Sequence, residues 1–201
     1  MGRPTRARSL AVWMNGERVR TWTLPARGPQ QFTYAESWLH SSQFRPLSLS
    51  LPTGFGAATL SGDAVESWFD NLLPDSDAIR RRAQTRFQTA STSAFDLLAA
   101  IGRDCAGALQ LLPPDQEPSG IDRIEAKPLS NQEIGRRLRA VTAAPAPGSL
   151  DPEADVLRLS VAGAQEKTAF LWHNNQWCLP LGSTPTTLSL IHISEPTRRT
   201  P

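Results

Sequence analysis

A stretch rich in proline, alanine and glycine, residues 142–152 (TAAPAPGSLDP), constrains most strongly how this chain can fold. Proline removes a backbone donor and glycine weakens regular elements, so this composition is typical of a connection between folded units. It divides the 201 residues into a long first part and a short second part. We therefore predict a first domain over 1–142, a linker over 143–152 and the start of a second domain over 153–187.

The first part opens with the pattern of a β-sheet. Apolar residues alternate across residues 10–23 on both sides of Asn15-Gly16, a favoured two-residue hairpin turn. Residues 31–34 and 46–51 also read as short strands, and the latter (PLSLSL) alternates with a period of two.

A helical pattern follows over residues 64–73. Asp63 is placed to cap this helix, Glu66 to complete a capping box, and Pro74 to end it. The apolar positions recur at helical spacing and predict a buried stripe, formed by Val65, Trp68, Phe69, Leu72 and Leu73.

Three further elements complete the predicted first domain before its last helix. Asp75 or Asp77 can begin an arginine-bearing helix, and a third helix starts at Phe95 and is broken by Gly102. The apolar residues 108–112 are short enough to return to the sheet as a strand.

The last helix of the first part and the strands of the second part carry their own signals. Ser130 and Glu133 form a capping-box pattern ahead of a helix that runs to about residue 141. Residues 168–172 and 177–179 read as two strands joined by an Asn-Asn turn. The predicted class is α+β, with a β-rich first subdomain that contains helices.

Composition excludes several function classes. The formal net charge is +2, which is too small to indicate nucleic acid or membrane binding from charge alone. Two cysteines without a CxxC pair, and three scattered histidines, argue against a zinc site and fit a reducing cytosol. No apolar run approaches the roughly 20 residues that cross a bilayer, and no signal peptide is evident, so we expect a cytoplasmic protein without a membrane partner.

Chemistry is concentrated in residues 160–168 (SVAGAQEKT). Small residues allow the backbone to approach a ligand closely, and the N–H groups of such a turn can converge on an anion. The segment lies between two strands and lacks the G-x-x-x-x-G-K-[ST] of a P-loop, so it fits the kinase arrangement better. From spacing alone, an ordinary tight turn is the commoner explanation.

The longer string 158–171 (RLSVAGAQEKTAFL) resembles the phosphate-loop segment of HipA kinases. Other blocks resemble the same family in the same order along the chain: 46–51 (PLSLSL), 69–75 (FDNLLPD), 95–104 (FDLLAAIGRD), 176–180 (QWCLP) and 184–187 (TPTT). The resemblance implies a β-rich N-terminal subdomain followed by the first strands of a protein-kinase-like lobe.

The resemblance also implies a nucleotide site and a regulatory residue. The family binds ATP with Mg²⁺, and the matching loop here consists of Ala162, Gly163, Ala164, Gln165, Glu166 and Lys167. Ser160 matches a serine that family members phosphorylate on themselves, which ejects the loop and switches the kinase off. A phosphate carries about −1.5 to −2 charges and would compete with ATP for the same donors.

By resemblance, the function is that of a toxin in a type II toxin–antitoxin system. Such a serine/threonine protein kinase phosphorylates a translation factor such as glutamyl-tRNA synthetase and arrests growth. The implied partner is a HipB-like antitoxin dimer and, through it, operator DNA. The alternative is a non-catalytic module that docks the antitoxin or its DNA complex, with the arginines of residues 80–86 as the contact to an acidic partner or to DNA phosphates.

The resemblance stops after Thr187. The family continues into an H-[apolar]-[apolar]-K strand, whereas residues 188–201 resemble translated sequencing-adapter sequence and contain no lysine. We predict that 188–201 is not native protein. Because the family's catalytic base and metal-binding aspartate lie further along, we assign no catalytic or metal-binding residue to this chain and expect the 201-residue polypeptide to be catalytically inactive.

Overall fold

The computed structural model describes residues 7–53, 59–106, 108–142, 167–182, 184 and 186–191. The first part of the chain forms a five-stranded antiparallel sheet with strand order β4-β3-β2-β1-β5. Its strands are β1 (Arg8–Met14), β2 (Glu17–Leu24), β3 (Gln31–Tyr34), β4 (Thr59–Ser61) and β5 (Leu109–Leu112).

The β1–β2 hairpin is confirmed. Asn15 and Gly16 adopt φ values of 50° and 82°, so both turn residues are left-handed, as the tight hairpin turn requires. The register pairs Leu10 with Trp22 and Val12 with Arg20, which places these four side chains on one face of the sheet.

Four helices accompany the first sheet: α1 (Glu36–Leu39), α2 (Asp63–Asp70), α3 (Asp77–Phe87) and α4 (Ala94–Ile101). The core between sheet and helices is aromatic. The rings of Trp22 and Phe69 stack with centroids 3.7 Å apart, and Phe95 lies 4.8 Å from Trp22. These three side chains are almost completely buried.

The predicted strand at residues 46–51 is wrong. Residues 48–51 form a tight turn with one isolated bridge, in which the Leu51 N–H donates to the Ser48 carbonyl at 3.1 Å. The Ser50 N–H donates to Ser48 Oγ at 3.2 Å. Serine side chains that bond to nearby backbone compete with strand pairing, and the turn leaves Leu49 96% exposed.

The capping prediction for α2 is also wrong, although the buried stripe is confirmed. The N-cap is Gly62, whose φ of 93° favours glycine, and neither Asp63 nor Glu66 caps the helix. The helix ends at Asp70, because residues 71–73 tighten into a turn before Pro74. Val65, Phe69 and Leu73 are buried, with Trp68 and Leu72 packed against them.

Three other predicted elements of the first part are confirmed. Helix α3 begins at Asp77, α4 ends before Gly102, and β5 returns to pair with β1. Packing requires glycine at position 102, because a Cβ there would lie 2.4 Å from the Leu98 carbonyl oxygen and 2.9 Å from Leu111 Cβ.

A second antiparallel sheet has strand order β6-β8-β7-β9. Its strands are β6 (Ala126–Pro128), β7 (Lys167–His173), β8 (Gln176–Pro180) and β9 (Leu188–Ile191), and α5 (Asn131–Thr142) follows β6. The predicted capping box of α5 is confirmed: the Ser130 N–H donates to Glu133 Oε2 at 2.8 Å, and the Glu133 N–H donates to Ser130 Oγ at 3.2 Å.

Two features of this sheet bear on the predicted domain division. β6 precedes the predicted linker 143–152 yet pairs with β8, so the second sheet draws a strand from the first part of the chain. β9 lies in the segment predicted to be non-native. The linker lies outside the described residues, and the boundaries and the origin of 188–201 stay predictions.

The architecture confirms the predicted class, a mixture of helices and antiparallel sheets. Among the residues that the structure describes, no helix combines the length and apolar character needed to cross a membrane. The same residues contain no group of three or more His, Cys, Asp or Glu side chains placed to share a metal ion.

Candidate functional site

The predicted phosphate loop meets the described structure at Lys167, the first residue of β7. The backbone of Lys167 faces Ile191 of β9 in the register. The other predicted site residues lie outside the described residues: Ser160, Ala162, Gly163, Ala164, Gln165 and Glu166. Their roles stay predictions, and the structure supplies the sheet into which the loop leads.

β7 is an interior strand of that sheet, bordered by β8 on one side and β9 on the other. It continues into β8 through Asn174 and Asn175, whose φ values of 50° and 60° confirm the predicted two-residue turn. Both residues are left-handed, which suits the twist of a hairpin. The half of β7 next to the predicted loop, residues 167–170, pairs with β9, and the far half, residues 171–173, pairs with β8.

The middle of β7 is buried on both faces. Phe170 and Leu171 are adjacent and must point to opposite faces, yet they are only 2% and 4% exposed. Helix α5 contacts β7. At the far end of the strand, Trp172 is half-exposed and packs edge-to-face on Trp177, with ring centroids 4.9 Å apart.

Thr184 and Thr187 hold neighbouring segments of this sheet together through hydrogen bonds, and we call these bonds the threonine clamp. The Trp172 N–H donates to Thr187 Oγ1 at 2.7 Å, and the Thr187 N–H donates to the Phe170 carbonyl at 3.0 Å. Thr184 is buried, and its Oγ1 accepts from the Glu125 N–H at 2.9 Å. The block was part of the resemblance, but the sequence did not reveal that it ties β6, β7 and β9 together.

Two acidic residues in the described part of the chain, Glu133 and Asp96, have a shifted pKa, and both make contacts that stabilise the fold. Bonds from the Ser130 backbone and hydroxyl lower the pKa of Glu133, which is the helix cap of α5. Burial raises the pKa of Asp96, but bonds from Ser91, Arg8 and Ser93 outweigh it and lower that pKa overall. These contacts are those of helix caps and of an ion pair with Arg8.

The arginines of α3 divide into two groups. Arg80 donates to both carboxylate oxygens of Asp70, at 2.7 and 3.0 Å, and to the Pro74 carbonyl at 2.7 Å. The bonds to Asp70 raise the pKa of Arg80 and hold α2 and α3 together. Arg81, Arg82 and Arg86 are exposed instead.

The feature that the sequence did not predict at all is Arg20, on the core face of β2. Its side chain is fully buried, and its guanidinium lies over the rings of Phe32, at 4.0 Å from the centroid, and Tyr34. None of its three nitrogens has a hydrogen-bond partner in the structure that is described. Burial lowers the pKa of Arg20 to about 9.

The comparisons with known proteins agree with one another. Residues 10–112 match the model of the family described as the HipA N-terminal domain. The Y4mE protein of Sinorhizobium fredii, whose name assigns it provisionally to the kinases, is 36% identical over 197 residues, which covers 94% of this chain and 43% of that protein. The serine/threonine-protein kinase toxin HipA of Shewanella oneidensis is 26% identical over 160 residues, covering 80% of this chain and 33% of that protein.

A solved structure shows the same fold. It is the complex of Shewanella oneidensis HipA with HipB and operator DNA, matched with a TM-score of 0.63 at 21% identity, over 89% of this chain and 39% of that one. This chain thus spans less than half the length of each relative. The family match covers just over half of the chain, and on that ground the chain belongs to the HipA N-terminal domain family.

Proposed function

We propose that this chain is part of a serine/threonine protein kinase toxin, and that residues 162–167 bind the phosphates of ATP. The observation that carries the proposal is that the loop leads into β7, which forms an antiparallel hairpin with β8 in a sheet that also contains β6. In protein kinases, a small-residue loop between strands covers the nucleotide phosphates. The kinase names of the relatives support the same reading.

The donor set of the loop suits phosphate. Three small residues leave their backbone N–H groups accessible, and Lys167 adds an ammonium group next to them. Mg²⁺ neutralises phosphate charge during transfer. The described residues offer no cluster of metal ligands, so we assign the Mg²⁺ to none of them.

Ser160 is proposed as the regulatory site. It stands two residues before the loop, so a phosphate there would bring about −1.5 to −2 charges to the donors that ATP uses. Self-phosphorylation would therefore oppose nucleotide binding.

The protein substrate and the partners are proposed in the same way. The substrate is a translation factor such as glutamyl-tRNA synthetase, the partner is a HipB-like antitoxin dimer that carries operator DNA, and the location is the cytoplasm. The Shewanella complex, which contains HipB and operator DNA, supports the partners, while the substrate and the location follow from the family resemblance. We further propose that the 201-residue chain by itself transfers no phosphate, because none of its residues is assigned as catalytic base or metal ligand.

A non-catalytic docking module is the second candidate. The observation that favours it is a core cluster drawn entirely from residues 10–111, which gives the first sheet and its helices a core of their own. Capture of the adjacent antitoxin by a Lys167→Ala chain as well as by the wild type would favour docking by this first unit.

ATP binding to the 201-residue chain tests the kinase proposal. Equilibrium dialysis with Lys167→Ala is compared with Lys127→Ala, since these are the two lysines of the sequence and Lys127 lies on β6 of the same sheet. A charge-assisted contact contributes about 1.5–3 kcal/mol, so we expect Lys167→Ala to weaken ATP binding by roughly tenfold to a hundredfold and Lys127→Ala to leave it unchanged. Equal affinities for all three proteins would overturn the assignment.

A further inference from the structure

The residues that follow β3 pack against the first sheet without joining it as a strand. Helix α1 contacts β2, and Trp38 and Leu51 are buried in the same core cluster as Tyr34. Between Leu39 and Ser48 the chain forms neither helix nor strand. We call residues 36–51 the lid.

Side-chain hydrogen bonds attach the lid to the sheet. Tyr34 Oη donates to the Leu51 carbonyl at 3.0 Å, and Ser41 Oγ donates to Glu17 Oε2 at 2.6 Å. The backbone ladder between β2 and β3 is separate from both bonds. The lid can therefore leave the sheet while the strands beneath it stay paired.

Arg20 lies on the core face beneath the ring of Tyr34. Its side chain is fully buried, and its nitrogens have no hydrogen-bond partner within the described structure. A buried charge without hydrogen bonds is costly, and cation–π attraction offsets only part of that cost. Because the Tyr34 hydroxyl is bonded to Leu51, the closed lid helps to hold in place a ring that shields Arg20 from water.

We propose that the lid opens locally, ahead of global unfolding, and that hydration of Arg20 favours the open state. Opening also exposes the apolar side chains of Trp38 and Leu51, which opposes it, so the closed form predominates. Openings of this kind occur in native proteins as cooperative units less stable than the whole fold.

This device goes beyond the proposed function, which gives the lid no role. It involves neither ATP nor the antitoxin, so its failure would leave the proposed function untouched.

Native-state hydrogen exchange of the 201-residue chain, followed by NMR at neutral pH, tests the opening. The reporters are the Trp38 indole N–H, which donates to the Arg45 carbonyl, and the Leu51 N–H. The reference amides are those of β1 and β5, which pair with each other. Arg20→Met removes the buried charge, and the matched control Arg18→Met replaces an exposed arginine on the same strand.

In the wild type, we expect protection factors of the reporters at least about tenfold below those of the reference amides. Arg20→Met should slow exchange of the reporters by about tenfold or more, because opening no longer hydrates a charge, whereas Arg18→Met should leave it unchanged. Tyr34→Phe keeps the ring but removes the bond to Leu51, so it should speed exchange of the reporters by about twofold to tenfold.

Three results would overturn the proposal. Reporters as protected as the reference amides in the wild type would mean that the lid opens only when the whole fold does. Equal exchange of the reporters in the wild type and Arg20→Met would mean that Arg20 does not drive the opening. Equal exchange in the wild type and Tyr34→Phe would mean that the lid is not held closed through Tyr34.

Discussion

Replacing Arg20 by methionine should stabilise the protein. The guanidinium is fully buried on the core face of β2, and its nitrogens have no hydrogen-bond partner within the described structure. The rings of Phe32 and Tyr34 offer it only cation–π attraction. Methionine keeps the flexible apolar stem that packs there and removes the charge.

The magnitude follows from the pKa. The decrease of the Arg20 pKa from its ordinary value to about 9 corresponds to about 5 kcal/mol against the charged form in the folded state. Cation–π attraction in a desolvated site offsets about 2 kcal/mol of this. We therefore expect Arg20→Met to raise the free energy of unfolding by about 2–3 kcal/mol at pH 7, within the gain seen when buried ionic groups are replaced by apolar ones.

The increase in the free energy of unfolding caused by Arg20→Met should become smaller at high pH. Above pH 9 and up to the ordinary arginine pKa, the unfolded chain holds the Arg20 proton more than the folded chain does, so wild-type stability from this residue rises by about 1 kcal/mol per pH unit. Below pH 9 both states are charged and the penalty is constant. Burial raises the pKa of Tyr34 and the Arg20 charge lowers it, so removing Arg20 raises the Tyr34 pKa further and adds to the loss of the stability gain above pH 10.

Urea unfolding monitored by tryptophan fluorescence measures the effect, because Trp22 lies in the same core. The control is Arg18→Met, an exposed arginine on the same strand, which should change stability by less than about 0.5 kcal/mol. A loss of more than about 1 kcal/mol in Arg20→Met, with Arg18→Met unchanged, would show that the guanidinium is satisfied in the fold and refute the reasoning.

Three further changes test the packing. Because the pKa of Asp96 is lowered, its carboxylate stabilises the fold above the unfolded value of about 3.9, and this contribution is lost as the pH falls through the lower folded value. Asp96→Asn should therefore reduce the acid sensitivity of urea unfolding below about pH 4. Gly102→Ala should cost about 1–3 kcal/mol, since its Cβ would meet the Leu98 carbonyl at 2.4 Å. Thr187→Val should cost about 0.5–1.5 kcal/mol, because the Trp172 N–H loses its acceptor.

Each of these three has a contradicting outcome. Identical pH profiles for Asp96→Asn and the wild type would mean that the carboxylate contributes nothing in the acid range. An unchanged unfolding midpoint for Gly102→Ala would show that α4 and β5 can separate without cost. If Thr187→Val were as stable as the wild type and the exposed control Thr85→Val, the Thr187 hydrogen bond would contribute no stability.

The sequence predicted the elements that local chemistry decides. The hairpin turns at Asn15-Gly16 and Asn174-Asn175 need left-handed residues, and the capping box of Ser130 and Glu133 is closed by its own side chains. Such signals do not depend on the rest of the fold.

The missed features are one set of local bonds and two features that tertiary packing decides. The alternation in residues 46–51 is that of a strand, but bonds between neighbouring serines close a turn there. The pairing of β6 with β8 joins strands about 50 residues apart, and no local pattern specifies it. Arg20 reads as a surface residue in sequence, and the register of β2 places it in the core.

The central claim, that residues 162–167 bind ATP phosphates, is tested most directly by an ATP acyl-phosphate probe. The amine of a lysine beside the bound phosphates attacks the acyl carbon, an amide forms, and ATP leaves. Because Lys127 and Lys167 are the two lysines of the sequence, peptide mapping assigns the label without ambiguity. We predict acylation of Lys167 that excess ATP suppresses, with slow labelling of Lys127 that ATP does not change. Equal labelling of both lysines, unaffected by ATP, would contradict the account.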